Sequence, residues 1–136
     1  MANPDYGITT TLRGIAFDGA RQLAIDTLKT EGFGIVSEID VTKTMKEKLN
    51  VDFARYTILG ACNPPAAHHA LTTDPFVGLF LPCNVCVFEA DGAITVSAIR
   101  PTALYEIMKN PQLVGLAAEI DARLDRVIQR LQGPSA

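Results

Sequence analysis

At 136 residues the chain suits one domain with a core of its own, and 48% apolar with 20% charged residues excludes a disordered polymer. A net charge of −3 and a pI near 5.3 exclude the basic footprint with which nucleic-acid proteins hold phosphate. The most apolar run, Phe76 to Phe88, is too short for a bilayer and contains Pro82 and Asn84, so no membrane partner is expected.

The opening, "MANPDYGITTTLRG", has no basic stretch followed by an apolar one and reads as no secretory signal. With three cysteines, an odd number, that predicts a reducing, cytoplasmic setting and free thiols. Tyr6 to Arg13, rich in Thr and Ile, predicts a first strand. Asp18 is expected to cap a helix whose inward face is Phe17, Ala20, Leu23, Ala24 and Leu28. Gly32 ends it, because glycine enters the left-handed conformation without steric cost. Ile35 to Ile39 alternates as a second strand.

Thr42 to Leu49 predicts a short helix whose Lys43, Lys46 and Lys48, with Glu47 among them, form a solvated face. Ala54 to Gly60 predicts a third strand, and Pro64-Pro65 opens a helix that runs to about Thr73 and closes at Asp74-Pro75. Gly78 to Glu89 and Ile94 to Ile99 predict two antiparallel strands joined through Asp91-Gly92. Asn110 caps and Pro111 opens the last helix, with Leu113, Leu116, Ala117, Ile120, Leu124, Val127 and Leu131 in one stripe. Its other face carries Glu119 and Arg123 as an i,i+4 pair, and Gly133-Pro134 stops it. These elements predict an α+β fold in one domain spanning 1–136, a mainly antiparallel sheet with the long C-terminal helix lying across one face.

All three cysteines and both histidines fall between Gly60 and Cys86. Cys83-Asn-Val-Cys86 matches C-x-x-C, but redox chemistry needs the first thiol at a helix N-terminus, and this pair sits in a β-rich run. Residues three apart on a strand point to opposite faces, and a structural zinc site needs a second ligand pair that the chain lacks. No metal site is therefore assigned. Cys62 and Cys83 are the better candidates, since Cys62 precedes a proline-initiated helix with Asn63 as its N-cap, and Pro82 breaks the strand before Cys83. His68 and His69, adjacent on a helix, point about 100° apart, with one expected toward solvent and the other toward a cleft or subunit boundary. Glu38 and Asp40 share a strand face, as an acid/base pair would and as any half-buried strand does. No nucleophile elbow, Walker loop or dinucleotide fingerprint is present.

Taken together, "LKTEGFGIVSEIDV", "YTILGACNP" and "DPFVGLFLPCNVCVFE" resemble, in order and spacing, the domain of unknown function 302 family. The resemblance extends from about Tyr6 to Leu131. It implies a small α+β domain with a TATA-box-binding-protein-like sheet-and-helix arrangement, often dimeric, and a motif centred on Cys62, Asn63, Pro64, Pro82, Cys83 and Asn84. It implies no activity and no cofactor, and the DNA-binding connotation does not carry over to an acidic chain. Three functions follow as expectations. The favoured one is a homodimeric small-ligand-binding or accessory module with a thiol site at Cys62 and Cys83. The second is a thiol-dependent sulfur-transfer or redox enzyme with Cys62 or Cys83 as nucleophile. The third is an interaction domain in which Gly60 to Phe88 forms the dimer surface and the cysteines only pack.

Overall fold

The computed structural model describes residues 2–132. Five strands, β1 (Gly7–Leu12), β2 (Gly34–Asp40), β3 (Tyr56–Cys62), β4 (Cys83–Ala90) and β5 (Ala93–Ile99), form one antiparallel sheet in the order β1-β5-β4-β3-β2. The β4–β5 hairpin turns at Asp91-Gly92, both with positive φ, as a two-residue turn requires. β1 closes the sheet against β5, with Gly7 opposite Ile99 and Leu12 opposite Ile94.

Helices α1 (Phe17–Lys29) and α5 (Val114–Leu131) cover one face of this sheet. Alternation along β4 sends Val85 and Val87 into that layer and leaves Asn84, Cys86 and Phe88 on the other face. Phe17, Ala20, Ala24 and Leu28 of α1 and Ile120, Leu124, Val127 and Leu131 of α5 complete the core. Each large side chain fully buried here is worth roughly 1.5–3 kcal/mol over leaving it in water. The opposite face carries a Thr9–Ser97 hydroxyl pair at 2.7 Å and the stacked rings of Tyr56 and Phe88, 5.0 Å apart. The sheet with its long C-terminal helix is the α+β arrangement expected from the sequence.

Local details depart from that expectation in four places. Ala16, not Asp18, begins α1, and the Asp18 carboxylate instead accepts from Arg55 at 2.7 Å while the Arg55 guanidinium lies over the Phe17 ring. Leu23 is exposed; Thr27 fills its place in the buried stripe and donates its hydroxyl to the Leu23 carbonyl. Gly78–Phe80, expected to open a long strand, belongs instead to a 3-10 helix at Pro75–Phe80. Pro75 fixes a helical φ there and the Asp74 carboxylate accepts the Phe76 N–H, so β4 begins only at Cys83. Finally, Pro101–Met108 forms a helix, α4, that the sequence reading does not assign.

Other expectations hold in detail. Gly32, at φ +84°, closes α1 with its N–H on the Lys29 carbonyl. Helix α2 (Val41–Leu49) buries no residue, so its lysines form a solvated face. Asn110 caps a 3-10 turn at Pro111–Leu113 that runs into α5. Gly133-Pro134 lies outside the described residues.

Two carboxylates fasten α5. Asp121 accepts from Arg100, from the Thr102 hydroxyl at 2.6 Å and from the Thr102 N–H, so it caps α4 from a neighbouring helix. Glu31, buried at the turn after α1, receives Arg126 at 2.9 Å and Arg130 at 2.9 Å, with Arg123 donating to its backbone carbonyl. Those guanidiniums hold the Glu31 carboxyl below its ordinary range, the Arg126 hydrogen bonds contributing most.

Candidate functional site

Where β3 ends and β4 begins, the fold forms a half-open apolar cavity of about 340 Å³. Its floor is the sheet end, Ala61, Cys62 and Cys83, with Phe33 beside it. Its roof is helix α3 (Pro64–Thr73) with the 3-10 segment, and its far wall is α4 with the first turns of α5. The cavity separates the main core from a smaller cluster formed by Ala70, Val77 and Leu113.

The sequence explains why space remains there. Helix α3 turns Ala66, Ala67 and Ala70 toward the cavity, and α5 contributes Ala117. Four methyl groups at facing positions do not fill the gap that leucines would. Asn63 starts α3 by accepting the Ala66 N–H at 3.1 Å, and Pro64 follows at a position whose N–H has no helical partner. Asn63 borders the cavity, and its amide nitrogen packs against the turn at Gly32. That nitrogen sits 3.0 Å from where a Cβ would stand at Gly32, so the turn after α1 and the start of α3 pack closely. Gly60 is fixed in a comparable way, because a Cβ there would collide with the Ser37 side chain and come within 2.7 Å of Pro82. The Leu81-Pro82 peptide is cis.

Of the residues singled out by the motif, Cys62, Asn63, Pro82 and Cys83 border the cavity. Pro64 is exposed behind Asn63, and Asn84 points to the open face of the sheet, where a second, polar groove runs. Cys83 and Cys86 lie on opposite faces, and Cys86 sits by Tyr56, whose phenol is pushed up by burial and by the neighbouring thiol. Cys83 pairs across the ladder with Ala61 rather than with Cys62, so the two thiols share a rim, not a strand-to-strand pair. His68 and His69 are both exposed and absent from the cavity wall, so neither faces this cleft, since α3 turns its alanines inward. Glu38 and Asp40 do share a face, but Glu38 is clamped by Arg21 and Asp40 caps α2. Neither is available as a proton carrier.

Burial pushes the Cys83 thiol up to about 11, with the charge of Cys62 adding to the shift. A thiol held there stays protonated at neutral pH and is a poor nucleophile. Among the described residues no three His, Cys, Asp or Glu side chains gather to hold a metal ion. No helix there is long and apolar enough to cross a membrane. Leu104, Met108 and the α3 alanines escaped the sequence reading. Pro101 after a strand, followed by Leu104 and Met108 at i,i+4, was the available signal for the α4 wall.

The model of a family described as "Domain of unknown function DUF302" matches residues 8–131. The solved crystal structure of an uncharacterized conserved protein DUF302 from Bacillus stearothermophilus matches with a TM-score of 0.86 at 31% identity. That match covers 94% of this chain and 99% of the other. Among curated proteins none matches.

Proposed function

The chain belongs to the DUF302 family, and from that premise we propose that it is a small-ligand-binding domain whose site is the cavity beneath α3. The observation that carries this reading is a built apolar space, about 340 Å³, bordered by Cys62, Asn63, Pro82 and Cys83 of the family motif. Binding pockets commonly begin near this size and combine apolar walls with few polar groups. The space is about twice the ~150 Å³ apolar cavity that accepts benzene. It therefore suits an uncharged molecule the size of two fused rings or a medium acyl chain. A charged ligand is disfavoured, because the wall offers no counter-charge to offset desolvation.

The thiols act as soft, polarizable wall in this reading, and the protonated state of Cys83 counts against a nucleophilic role. Three free cysteines suit a reducing, cytoplasmic setting, and the working unit is taken to be a homodimer. The neutral probe N-phenyl-1-naphthylamine tests the site. Saturable fluorescence at one probe per chain is expected, with at least tenfold weaker binding in Ala67→Phe, whose ring would occupy the cavity. Absence of saturable binding, or binding indifferent to Ala67→Phe at unchanged fold, overturns the proposal.

A further inference from the structure

We propose that the sheet face opposite α1 and α5 carries a second binding site, for an uncharged planar heterocycle of the nucleoside type. A groove of about 430 Å³ runs along that face, within the size range of ligand pockets. It shares no lining residue with the cavity beneath α3, so the inference does not rest on that reading. Antiparallel sheets often turn a polar face to water, and hydroxyls alone mark no site. What sets this face apart is a pair of half-buried aromatic rings beside a floor of short hydroxyl side chains.

Tyr56 and Phe88 are direct partners on β3 and β4. Their rings stack at 5.0 Å with an interplanar angle of 7°, close to the ~4.8 Å between strands, so the stack runs across the sheet. Phe53 meets the Tyr56 ring edge-on. The far face of Phe88 looks toward β5, where its partner is Thr95, and Thr95 in turn pairs with Thr11 of β1. Side-chain height therefore drops from ring to hydroxyl between β4 and β5, and that step is the wall of the groove. A flat ring laid against Phe88 extends the aromatic stack by one member and stands with its edge on Thr95 and Thr11.

The next row along the strands, roughly 7 Å on, is Cys86, Ser97 and Thr9. There the Thr9 and Ser97 hydroxyls bond each other at 2.7 Å, which leaves one hydroxyl proton and free lone pairs for a ligand. A nucleoside has this layout, a stacking base and, one row away, hydroxyls that donate and accept. Among the described residues the charged groups lining the groove are Arg13 and Asp91, of opposite sign and both at the hairpin end. No cluster of cations awaits a phosphate, so the fit is to a free nucleoside and not to a nucleotide or a nucleic acid.

2-Aminopurine riboside, whose fluorescence falls when its base stacks, is the probe. Titration with the full chain should give saturable quenching at one probe per chain. Thr95→Phe places a ring where the base would stack, at a strand position that accepts aromatics. It should weaken binding at least tenfold with unchanged circular dichroism. Phe88→Leu should weaken it to a similar degree and Ser97→Ala severalfold. Ala67→Phe, which fills the cavity beneath α3, should leave it unchanged. Absence of saturable quenching, or quenching indifferent to Thr95→Phe, overturns the inference. Tighter binding of the probe's 5′-monophosphate also overturns it, since an anion site would then be present. Naphthylamine binding should persist in Thr95→Phe, so the two proposals fail separately.

Discussion

Helix α5 spans two regions built on opposite principles. In its first turns Leu116, Ala117 and Ile120 border the cavity. From Asp121 to Arg130 it is tied by carboxylates and guanidiniums to α4 and to the turn after α1. The tied half seals the core over the sheet with directional contacts, while the other half faces the α3 alanines and Met108 of α4 across the cavity. At roughly 24 cal/mol per Å³, a sealed void of this size would forfeit about 8 kcal/mol, most of a small domain's stability. The fold can carry such a cavity only with its mouth open or its space filled, and only because the other end holds the layers together. Under the binding proposal, stability and ligand binding fall to different ends of one helix.

The largest test of that division is Glu31→Ala. It leaves three arginines facing each other without their common partner and should lower Tm by roughly 8 °C, read by calorimetry. Probe binding should hardly change. Because the Glu31 carboxyl is held below its ordinary value of 4.5, its contribution is present above that value and lost as pH falls beneath it. The gap in Tm between wild type and Glu31→Ala should therefore close in acid.

The alkaline side probes the cavity end instead. The Cys83 thiol lies at about 11 in the folded chain against an ordinary 9.0, so its contribution is whole below pH 9 and is lost between pH 9 and 11. Cys83→Ala should flatten that limb by about 2 kcal/mol in urea unfolding compared across pH. A smaller effect is expected for Asp121→Asn, about 1–2 kcal/mol, because the amide keeps a hydrogen bond to Thr102 but not the charge for Arg100. Smallest of all is Ala67→Leu. It should change stability by less than about 1 kcal/mol, in the direction of stabilisation, while weakening probe binding severalfold. A loss of stability there would mean that the wall is already packed.

The fold was more legible than the site, for a physical reason. Strands and helices announce themselves through local periodicity, as in the Phe17 to Leu28 stripe and the α5 stripe from Leu113 to Leu131. Gly78 to Phe80 misled because an apolar run carries no period; only Asp74-Pro75, read as a helix stop, marked a turn. The motif residues Cys62, Asn63, Pro82 and Cys83 were identifiable, but the space beside them was not. A cavity is what distant elements fail to fill. It depends on α3 alanines, α4 and the start of α5 meeting in three dimensions, and on Asn84 and the histidines facing elsewhere.

The pairing of β1 with β5 bears on how the chain is made. Gly7 finds its partner only when Ile99 has been synthesised, and α1 gains its neighbour α5 later still. On a ribosome the N-terminal strand must wait with its edge bare through most of translation. Sheet closure is then a long-range, late event, which predicts slow folding for the chain's size and a nascent form in need of protection. The short threonine-rich sequence of β1 suits that wait, since it offers few greasy side chains to a neighbouring chain in the meantime.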